Sequence, residues 1–221
     1  MYFNSIRFVN CRKQTVTLNG ENYGKLGLLV LWPLFYRKRQ VGDMDHNSII
    51  AAMTKKEQLD EVKNSRVKKV ILMSGDIMSL KEIIFQLHST NKEVYVHIEM
   101  VDGIGRDASA VQYLAEVFRA DGIVSTKSNA ISAAKYAGLK TIQRVFAIDS
   151  GAFETAIKMI ATSKPDKVEL MPGLMPRVIN EMKRRINRPL IVGGLIRYKD
   201  EIETALNSGA DYVSVGDPEF W

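Results

Sequence analysis

Residues 167–194, KVELMPGLMPRVINEMKRRINRPLIVGG, contain the pattern that decides the fold. Two short apolar runs, Lys167–Met171 and Leu190–Val192, flank a segment with helical character. Short runs rich in Val and Ile that alternate with helical stretches are typical of a parallel sheet built from strand–helix units. The stretch therefore predicts one strand–helix–strand unit, and the same alternation continues on both sides of it, from Asn47 onward.

The alternation predicts eight strands and seven helices. The strands are expected at Ser48–Met53, Lys69–Met73, Glu93–Ile98, Gly122–Ser125, Thr141–Ala147, Lys167–Met171, Leu190–Val192 and Tyr212–Val215. Segments 79–87 and 108–118 between them are amphipathic, and Gly138 and Gly209 stand where a glycine ends a helix. We predict an α/β fold, a TIM-type (β/α)8 barrel with a truncated or missing last helix. An open doubly wound sheet would usually have fewer strands and a glycine-rich first turn.

The charge of the chain is concentrated near its start. The chain holds 31 basic and 25 acidic residues, a net charge of +6, and residues 1–43 contribute seven basic and two acidic residues of that total. The remainder is close to neutral, so the basic pI alone does not assign a nucleic-acid partner. The single cysteine, Cys11, cannot form an internal disulfide, which favours a cytoplasmic location. No Cys and His cluster has zinc-site spacing, and we predict no metal or other cofactor.

Residues 1–43 lack the strand–helix alternation, and we treat them as an N-terminal extension before a barrel of residues 44–221. Asn19-Gly20, between Val16–Leu18 and Tyr23, predicts a hairpin because this pair tolerates the positive φ of tight turns. Two interpretations stay open. The hairpin covers part of the barrel, or Met44 is the natural start and the extension lies upstream of it.

The extension gives no reason to expect a membrane segment. Leu26–Tyr36 is apolar, but it is about half the ~20 residues that a membrane helix needs. Pro33 also interrupts the run. The strongest basic cluster follows the apolar run, which argues against a signal peptide. We therefore predict no membrane partner.

Glycines follow the last predicted strands, where barrels often hold phosphate. The seventh strand ends in Gly193 and Gly194, the eighth loop contains Ser214 and Gly216, and Gly173 follows the sixth strand. Paired glycines let backbone N–H groups approach an anion without an intervening Cβ. Ordinary strand–helix turns are the simpler interpretation, but two glycine loops on the seventh and eighth strands favour a phosphate site.

Polar residues stand at the ends of the middle strands. They are His97, Glu99, Lys127, Arg144 and Glu169. An inward Glu169 is costly to bury without a partner, so it needs hydroxyl groups, a cation or a raised pKa. It either binds a ligand or forms a structural ion pair with Lys127 or Arg144. His97 is either a core histidine or a ligand-binding residue.

Five motifs resemble the glycerol-3-phosphate-responsive antiterminator family, which consists of bacterial regulators of glycerol-use operons. The motifs are Val96–Ile104, Gly122–Lys127, Thr141–Phe146, Val168–Gly173 and Val192–Ile196. They occur in order and at barrel spacing, and the resemblance covers nearly all of residues 47–221. Residues 1–43 have no counterpart in it.

The resemblance implies a cytoplasmic transcription regulator that binds sn-glycerol 3-phosphate and then acts on leader mRNA to prevent termination. The phosphate would lie against Gly193, Gly194 and the Ser214–Gly216 loop, with Gly173 nearby. The glycerol would meet polar groups from the middle strands, which are His97, Glu99, Lys127, Arg144 and Glu169. Asp217 would oppose an anion if it pointed inward, so we expect it to point outward and cap the last turn. A homo-oligomer is left open.

The RNA partner is implied by the resemblance alone. The best basic cluster comprises Arg177, Lys183, Arg184, Arg185 and Arg188 on and after the sixth helix. Lys63, Arg66, Lys68 and Lys69 form a second cluster. Charges of this kind usually mark a solvated face, and no aromatic platform or RNA-recognition motif accompanies them.

The alternative function is an enzyme that acts on a small phosphorylated, glycerol-phosphate-like substrate, because phosphate-binding barrels are mostly catalysts. Glu169 would be the general base and Lys127 a Schiff-base nucleophile. The spacing indicates no acid–base pair, so we assign no catalytic residue and expect a non-enzyme. A barrel that only scaffolds partners would leave the polar strand ends unexplained.

Deletion of residues 1–43 should leave the Tm of the protein nearly unchanged if Met44 is the natural start. The reason is that a segment outside the barrel contributes no core contacts. Thermal unfolding of the full and shortened chains, followed by circular dichroism, measures this. A large drop in Tm would show instead that the extension packs on the barrel.

Overall fold

The computed structural model describes residues 16–18, 21–23 and 45–221. The chain divides into two compact units, Met1–Met44 and Asp45–Trp221. In the first unit, Val16–Leu18 and Glu21–Tyr23 pair as antiparallel strands, with Leu18 opposite Glu21. The predicted Asn19-Gly20 turn, the apolar run of residues 26–36 and Met44 lie outside the described residues.

The second unit is a closed barrel of eight parallel strands. In chain order they are β1 (Ile49–Met53), β2 (Lys69–Leu72), β3 (Glu93–His97), β4 (Gly122–Ser125), β5 (Lys140–Phe146), β6 (Lys167–Met171), β7 (Leu190–Gly193) and β8 (Tyr212–Val215). Each strand pairs with the next, and β8 pairs with β1, with Val213 opposite Ile49. The predicted fold class is confirmed, and each observed strand differs from its predicted bounds by no more than one residue at either end.

Seven helices connect successive strands. They are α1 (Leu59–Asn64), α2 (Ile77–His88), α3 (Ala108–Glu116), α4 (Ser128–Tyr136), α5 (Ser150–Ser163), α6 (Pro176–Arg185) and α7 (Lys199–Asn207). In α2 the apolar residues predicted to share one face are buried, in agreement with their i, i+3, i+4 spacing; they are Leu80, Ile83, Ile84 and Leu87. Gly138 and Gly209 follow α4 and α7 with φ of +76° and +107°, the backbone conformation that ends helices at glycine.

The last helix is truncated, as predicted. A single 3-10 turn, Pro218–Phe220, follows β8, and the Asp217 carboxylate accepts a hydrogen bond from the Glu219 N–H at 3.1 Å. Trp221 is buried, and its indole N–H donates to the Val215 carbonyl at 3.0 Å. This turn therefore packs against the end of β8 in the place of an eighth helix.

The barrel interior is filled by one residue from most strands at the level of Tyr95. The buried cluster consists of Ile50, Ile71, Tyr95, Val124, Ile142 and Ile191. Because side chains alternate along a strand, the residues two positions further on also point inward, at the carboxyl end of the barrel. This geometry directs His97, Arg144 and Gly193 toward a common centre.

At the amino end of the barrel, three aspartates form hydrogen bonds between neighbouring strands. Asp121, Asp166 and Asp211 each precede an even-numbered strand, and each accepts a hydrogen bond from a backbone N–H at the start of the preceding strand. The donors are Val94, Thr141 and Leu190, at 2.7, 2.8 and 2.7 Å. Charge-assisted hydrogen bonds of this kind are stronger than neutral ones, so these carboxylates stabilise the sheet itself.

Candidate functional site at the carboxyl end of the barrel

A buried ion pair lies at the centre of the carboxyl end. Arg144 on β5 donates from Nε to Oε2 of Glu169 on β6 at 2.8 Å, and the two side chains are 5% and 0% exposed. Oε1 of Glu169 accepts from the Ser214 hydroxyl on β8 at 2.7 Å. Of the two partners considered for Glu169, the structure selects Arg144, and both carboxylate oxygens are occupied.

The same guanidinium spans the barrel. Nη2 of Arg144 lies 3.2 Å from the sulfur of Met73, which follows β2. Sequence reasoning missed Met73 as a site residue, because an apolar residue just after a strand carries no polar signal. The contact places the guanidinium between β5 and the end of β2, across the interior of the barrel.

His97 is buried beside this pair without a hydrogen bond. It is 3% exposed, and neither ring nitrogen has a hydrogen-bond partner among the described residues. Nδ1 lies 3.3 Å from Oε2 of Glu99, within ion-pair distance but without hydrogen-bond geometry. Burial, and secondarily the positive charge of Arg144, lowers the pKa of His97 to about 4. The imidazole is therefore neutral near pH 7 and offers one donor and one acceptor.

Glu99 is held by the end of β4. Its Oε1 accepts from the Ser125 hydroxyl, and its Oε2 lies 3.4 Å from the Thr126 N–H. The Lys127 N–H donates to the Ser125 hydroxyl at 3.0 Å, whereas the Lys127 residue as a whole is exposed. Ser125 is a second residue that sequence reasoning did not select, although it lies within the quoted β4 motif.

Three glycines bring the loops after β6 and β7 together. A Cβ on Gly193 would lie 2.0 Å from the Ser214 hydroxyl and 3.4 Å from Oε1 of Glu169, so no larger residue fits there. A Cβ on Gly173 would lie 3.2 Å from the backbone of Gly193. The Gly173 N–H donates to the Gly194 carbonyl at 3.2 Å. Gly173 and Gly193 therefore serve close packing around Glu169 and Ser214.

Gly194 and Gly216 present backbone N–H groups at the rim. Gly194 has φ +81° and is followed by Leu195 at φ +66°, so the chain turns sharply after β7. Within residues 45–221, the N–H groups of Gly194 and Gly216 have no hydrogen-bond acceptor. Free N–H groups at a turn attract anions.

The loop after β1 supports this rim. Nε2 of Gln58 donates to the Gly216 carbonyl at 3.2 Å, while its Oε1 accepts from the Thr54 N–H at 2.9 Å. Sequence reasoning did not identify Gln58. Asp217 is exposed and bonded to the last turn, as expected, so its carboxylate does not point into the barrel.

The structure divides the predicted basic cluster of α6. Arg177 lies in the first turn and pairs with Glu181 at 3.4 Å, whereas Lys183, Arg184 and Arg185 lie in the last turn. Lys183 pairs with Asp211 at 2.6 Å, and Arg185 pairs with Glu154. Arg177 is thus separated from the other members, which lie at the amino end of the barrel with Arg188.

Within the described part of the chain, no helix is long and apolar enough to span a membrane. No group of three or more His, Cys, Asp or Glu residues comes together there as a set of metal ligands.

Comparison with known proteins identifies a family. Residues 49–221 match the family model described as "Glycerol-3-phosphate responsive antiterminator". The uncharacterized protein YgcP of Escherichia coli K12 is 31% identical over 189 residues, 86% of this chain and 96% of that protein.

Two crystal structures are similar to this one. The glycerol uptake operon antiterminator regulatory protein from Listeria monocytogenes has a TM-score of 0.76 and 29% identity, over 82% of this chain and 97% of that chain. A glycerol uptake operon antiterminator-related protein from Thermotoga maritima has a TM-score of 0.71 and 30% identity, over 79% of this chain and 98% of that chain.

The substitution Glu169→Gln should lower the free energy of unfolding by about 3–5 kcal/mol, because it leaves the Arg144 charge buried without its partner. Urea unfolding monitored by tryptophan fluorescence measures the change. The control is Glu154→Gln, which removes a carboxylate from the exposed pair with Arg185 and should change stability little. Equal effects of the two substitutions would contradict a structural role for the buried pair.

The stability of the protein should depend on pH through His97. Its pKa of about 4 in the folded chain lies below the ordinary 6.5, so the unfolded chain binds the extra proton first and stability is lost as pH falls from 6.5 toward 4. Between pH 7 and pH 5 the loss is about 2 kcal/mol. Urea unfolding of wild type and His97→Gln at both pH values isolates this contribution. The idea fails if the variant shows the same pH dependence as wild type.

Proposed function

The chain belongs to the glycerol-3-phosphate responsive antiterminator family, and we propose that it binds sn-glycerol 3-phosphate at the carboxyl end of the barrel. In that state it binds leader mRNA and prevents transcription termination at glycerol-utilisation genes. The predicted family resemblance is confirmed by the match over residues 49–221. The ligand, its position and the RNA target are the parts that we add.

The observation that carries the proposal is the unpartnered His97. Leaving a buried polar group without a hydrogen bond costs free energy, on the order of 1–3 kcal/mol. A protein can retain such an unsatisfied group where a bound ligand supplies the missing hydrogen bond. His97 lies beside the Arg144–Glu169 pair, so a ligand hydroxyl at this position would meet an imidazole, a guanidinium and carboxylates together.

The phosphate is assigned to the rim above β7 and β8. The N–H groups of Gly194 and Gly216 provide donors there, and Ser214 lies one layer below. Gly193 and Gly173 act indirectly, because they let the two loops approach each other. The outward Asp217 places no carboxylate against the anion.

The glycerol hydroxyls are assigned to the centre. His97 supplies a donor and an acceptor, Glu99 an acceptor, and Arg144 further donors, while Glu169 holds Arg144 in place. The Lys127 backbone N–H donates to the Ser125 hydroxyl, which in turn contacts Glu99. The Lys127 side chain provides an exposed positive charge at the edge of the site. A three-carbon polyol matches this short array of alternating donors and acceptors.

A regulatory role fits this geometry better than catalysis. A general base must lie within reach of the substrate proton. Glu169 is completely buried, and its contacts with Arg144 and Ser214 give it a structural role in holding the guanidinium. Lys127 is exposed, whereas a Schiff-base lysine is activated by desolvation or by a neighbouring cation. The family is one of regulators, in agreement with this assignment.

We expect sn-glycerol 3-phosphate to raise the Tm of the protein and to remain chemically unchanged. Ligand at about 100-fold its Kd stabilises a single-site protein by roughly 2.7 kcal/mol. Glycerol and inorganic phosphate should give smaller shifts, because each engages only half of the site. Differential scanning fluorimetry, followed by assay of recovered ligand, measures both points. Consumption of the ligand would instead support the alternative enzyme function.

Gly194→Leu tests the position of the phosphate in the same assay. A side chain there would project over the rim, and the left-handed backbone would cost about 1–2 kcal/mol. Gly138→Leu is the matched control, since Gly138 has a similar φ and open space around its Cβ but lies at the other end of the barrel. The ligand-induced shift should vanish in Gly194→Leu and persist in Gly138→Leu. A shift retained in Gly194→Leu would place the phosphate elsewhere.

A further inference from the structure

The charges of the barrel are distributed unequally between its two ends. We call the helix-to-strand connections, with the first residue of each strand, the amino-end face: residues 65–69, 89–93, 117–122, 137–140, 164–167, 186–190 and 208–212. This face carries nine basic and four acidic residues, whereas the seven strand-to-helix connections at the opposite end carry five basic and six acidic residues. A barrel that is nearly neutral as a whole therefore has one basic end.

The four acidic residues of the amino-end face are engaged in the sheet. Asp121, Asp166 and Asp211 accept backbone N–H groups of neighbouring strands. Glu93 accepts from the Tyr95 hydroxyl and from Lys140, each at 2.7 Å. These carboxylates are fixed by the fold, so they do not extend to neutralise an approaching anion.

Several basic residues of this face remain available. Lys68 and Lys164 are exposed, as is Arg184 in the last turn of α6, which borders the face. Within residues 45–221, the head groups of these three side chains have no hydrogen-bond or ion-pair partner. Lys68 and Lys164 lie in two different connections and Arg184 lies beside a third, so the positive charge is spread across the end of the barrel.

Two lysines lie inside the mouth of the barrel at this end. Lys69 lies over the ring of Tyr212 at 4.8 Å, and Lys167 lies over the ring of Tyr95 at 5.3 Å and donates to its hydroxyl at 2.9 Å. Burial lowers the pKa of Lys167, as do the charges of Lys140 and Lys69, against an opposing effect of Glu93. Basic residues near helix C-termini stabilise the helix dipole, but these two stand on strands and have no such role.

We infer that RNA binds across the amino-end face, at the end of the barrel opposite the proposed glycerol-3-phosphate site. The inference rests on the proposed function and assigns its RNA partner to a surface. The dispersed, unpaired charges of Lys68, Lys164 and Arg184 match the repeating phosphates of a single strand. Tyr136, at the end of α4 and 97% exposed, provides a ring on which a base can stack. The exposed aliphatic residues Ile148, Leu174 and Leu195 follow β5, β6 and β7, so they lie at the opposite end of the barrel.

The test compares two triple variants of the full chain that lose the same charge. Lys68→Gln with Lys164→Gln and Arg184→Gln alters the amino-end face. The control set is Lys81→Gln with Arg106→Gln and Arg197→Gln, three exposed residues nearer the opposite end. The probe is a fluorescein-labelled, mixed-sequence single-stranded RNA, measured by anisotropy over a salt series with saturating sn-glycerol 3-phosphate. Both sets should retain the ligand-induced Tm shift.

Loss of three phosphate contacts should reduce the slope of log K against log salt by about 2, since each contact to a single strand contributes about 0.7. At 0.1 M salt this corresponds to roughly 100-fold weaker binding. The control set should bind as wild type does, and replacing the same three amino-end residues by the other basic residue type should restore affinity. Equal effects of the two sets, or an unaltered slope in the amino-end set, would overturn the inference while leaving the proposed function standing. Failure of wild type to bind the RNA at all would refute the RNA part of the proposed function as well.

Lysine protection provides a second measurement that needs no variant. Acetylation of wild type with a water-soluble ester, read by mass spectrometry, should slow at Lys68, Lys69 and Lys164 when the RNA is present. The reactivity of Lys81 should stay constant. Protection of Lys81 with unchanged reactivity at the amino-end lysines would place the RNA on the opposite end.

Discussion

The pairing of β8 with β1 is the constraint on which the rest of the structure depends. Val213–Val215 align with Ile49–Ala51, which closes the sheet and leaves no strand edge unpaired. Since all eight strands are parallel, every strand-to-helix loop then opens at the same end. Residues far apart in the sequence are thereby brought around one centre. The same closure gathers the helix-to-strand connections at the other end, so the two faces can differ in charge and in partner.

At the carboxyl end, the buried ion pair decides what remains available to a ligand. Arg144 and Glu169 compensate each other, and Ser214 occupies the second carboxylate oxygen. This arrangement requires Gly193, because any Cβ there would displace the Ser214 hydroxyl. His97 is left neutral, beside a positive charge and with no hydrogen bond at either ring nitrogen among the described residues. The ligand that we propose, a small polyol phosphate, would therefore meet a few fixed polar groups at this end of the barrel.

Strand β3 runs between the two ends of the barrel and contributes a side chain to each. Glu93 lies at the amino-end face, Tyr95 fills the core, and His97 lies at the proposed ligand site, all on the inward side of one strand. If ligand and RNA bind at opposite ends, their coupling free energy must be reciprocal, so RNA should tighten ligand binding as much as ligand tightens RNA binding. A small displacement of β3 would move Glu93 at one end and His97 at the other, because packed interiors transmit strain.

The sequence by itself determined the barrel, since eight Val- and Ile-rich runs at regular spacing leave few other ways to bury them, and it determined which glycines and polar residues stand at the strand ends. Tertiary structure decided how those residues are used. Glu169 could have paired with Lys127 or Arg144, and only strand register places Arg144 opposite it on β5. Met73 and Gln58 contact the site without any sequence signal, and Ser125 lies in a quoted motif that does not show its role, because these roles depend on contacts between strands. The residue pattern along the chain shows the local periodicity of each strand and helix. The contact partners of a side chain depend on distances between strands, which are set only after the sheet has closed.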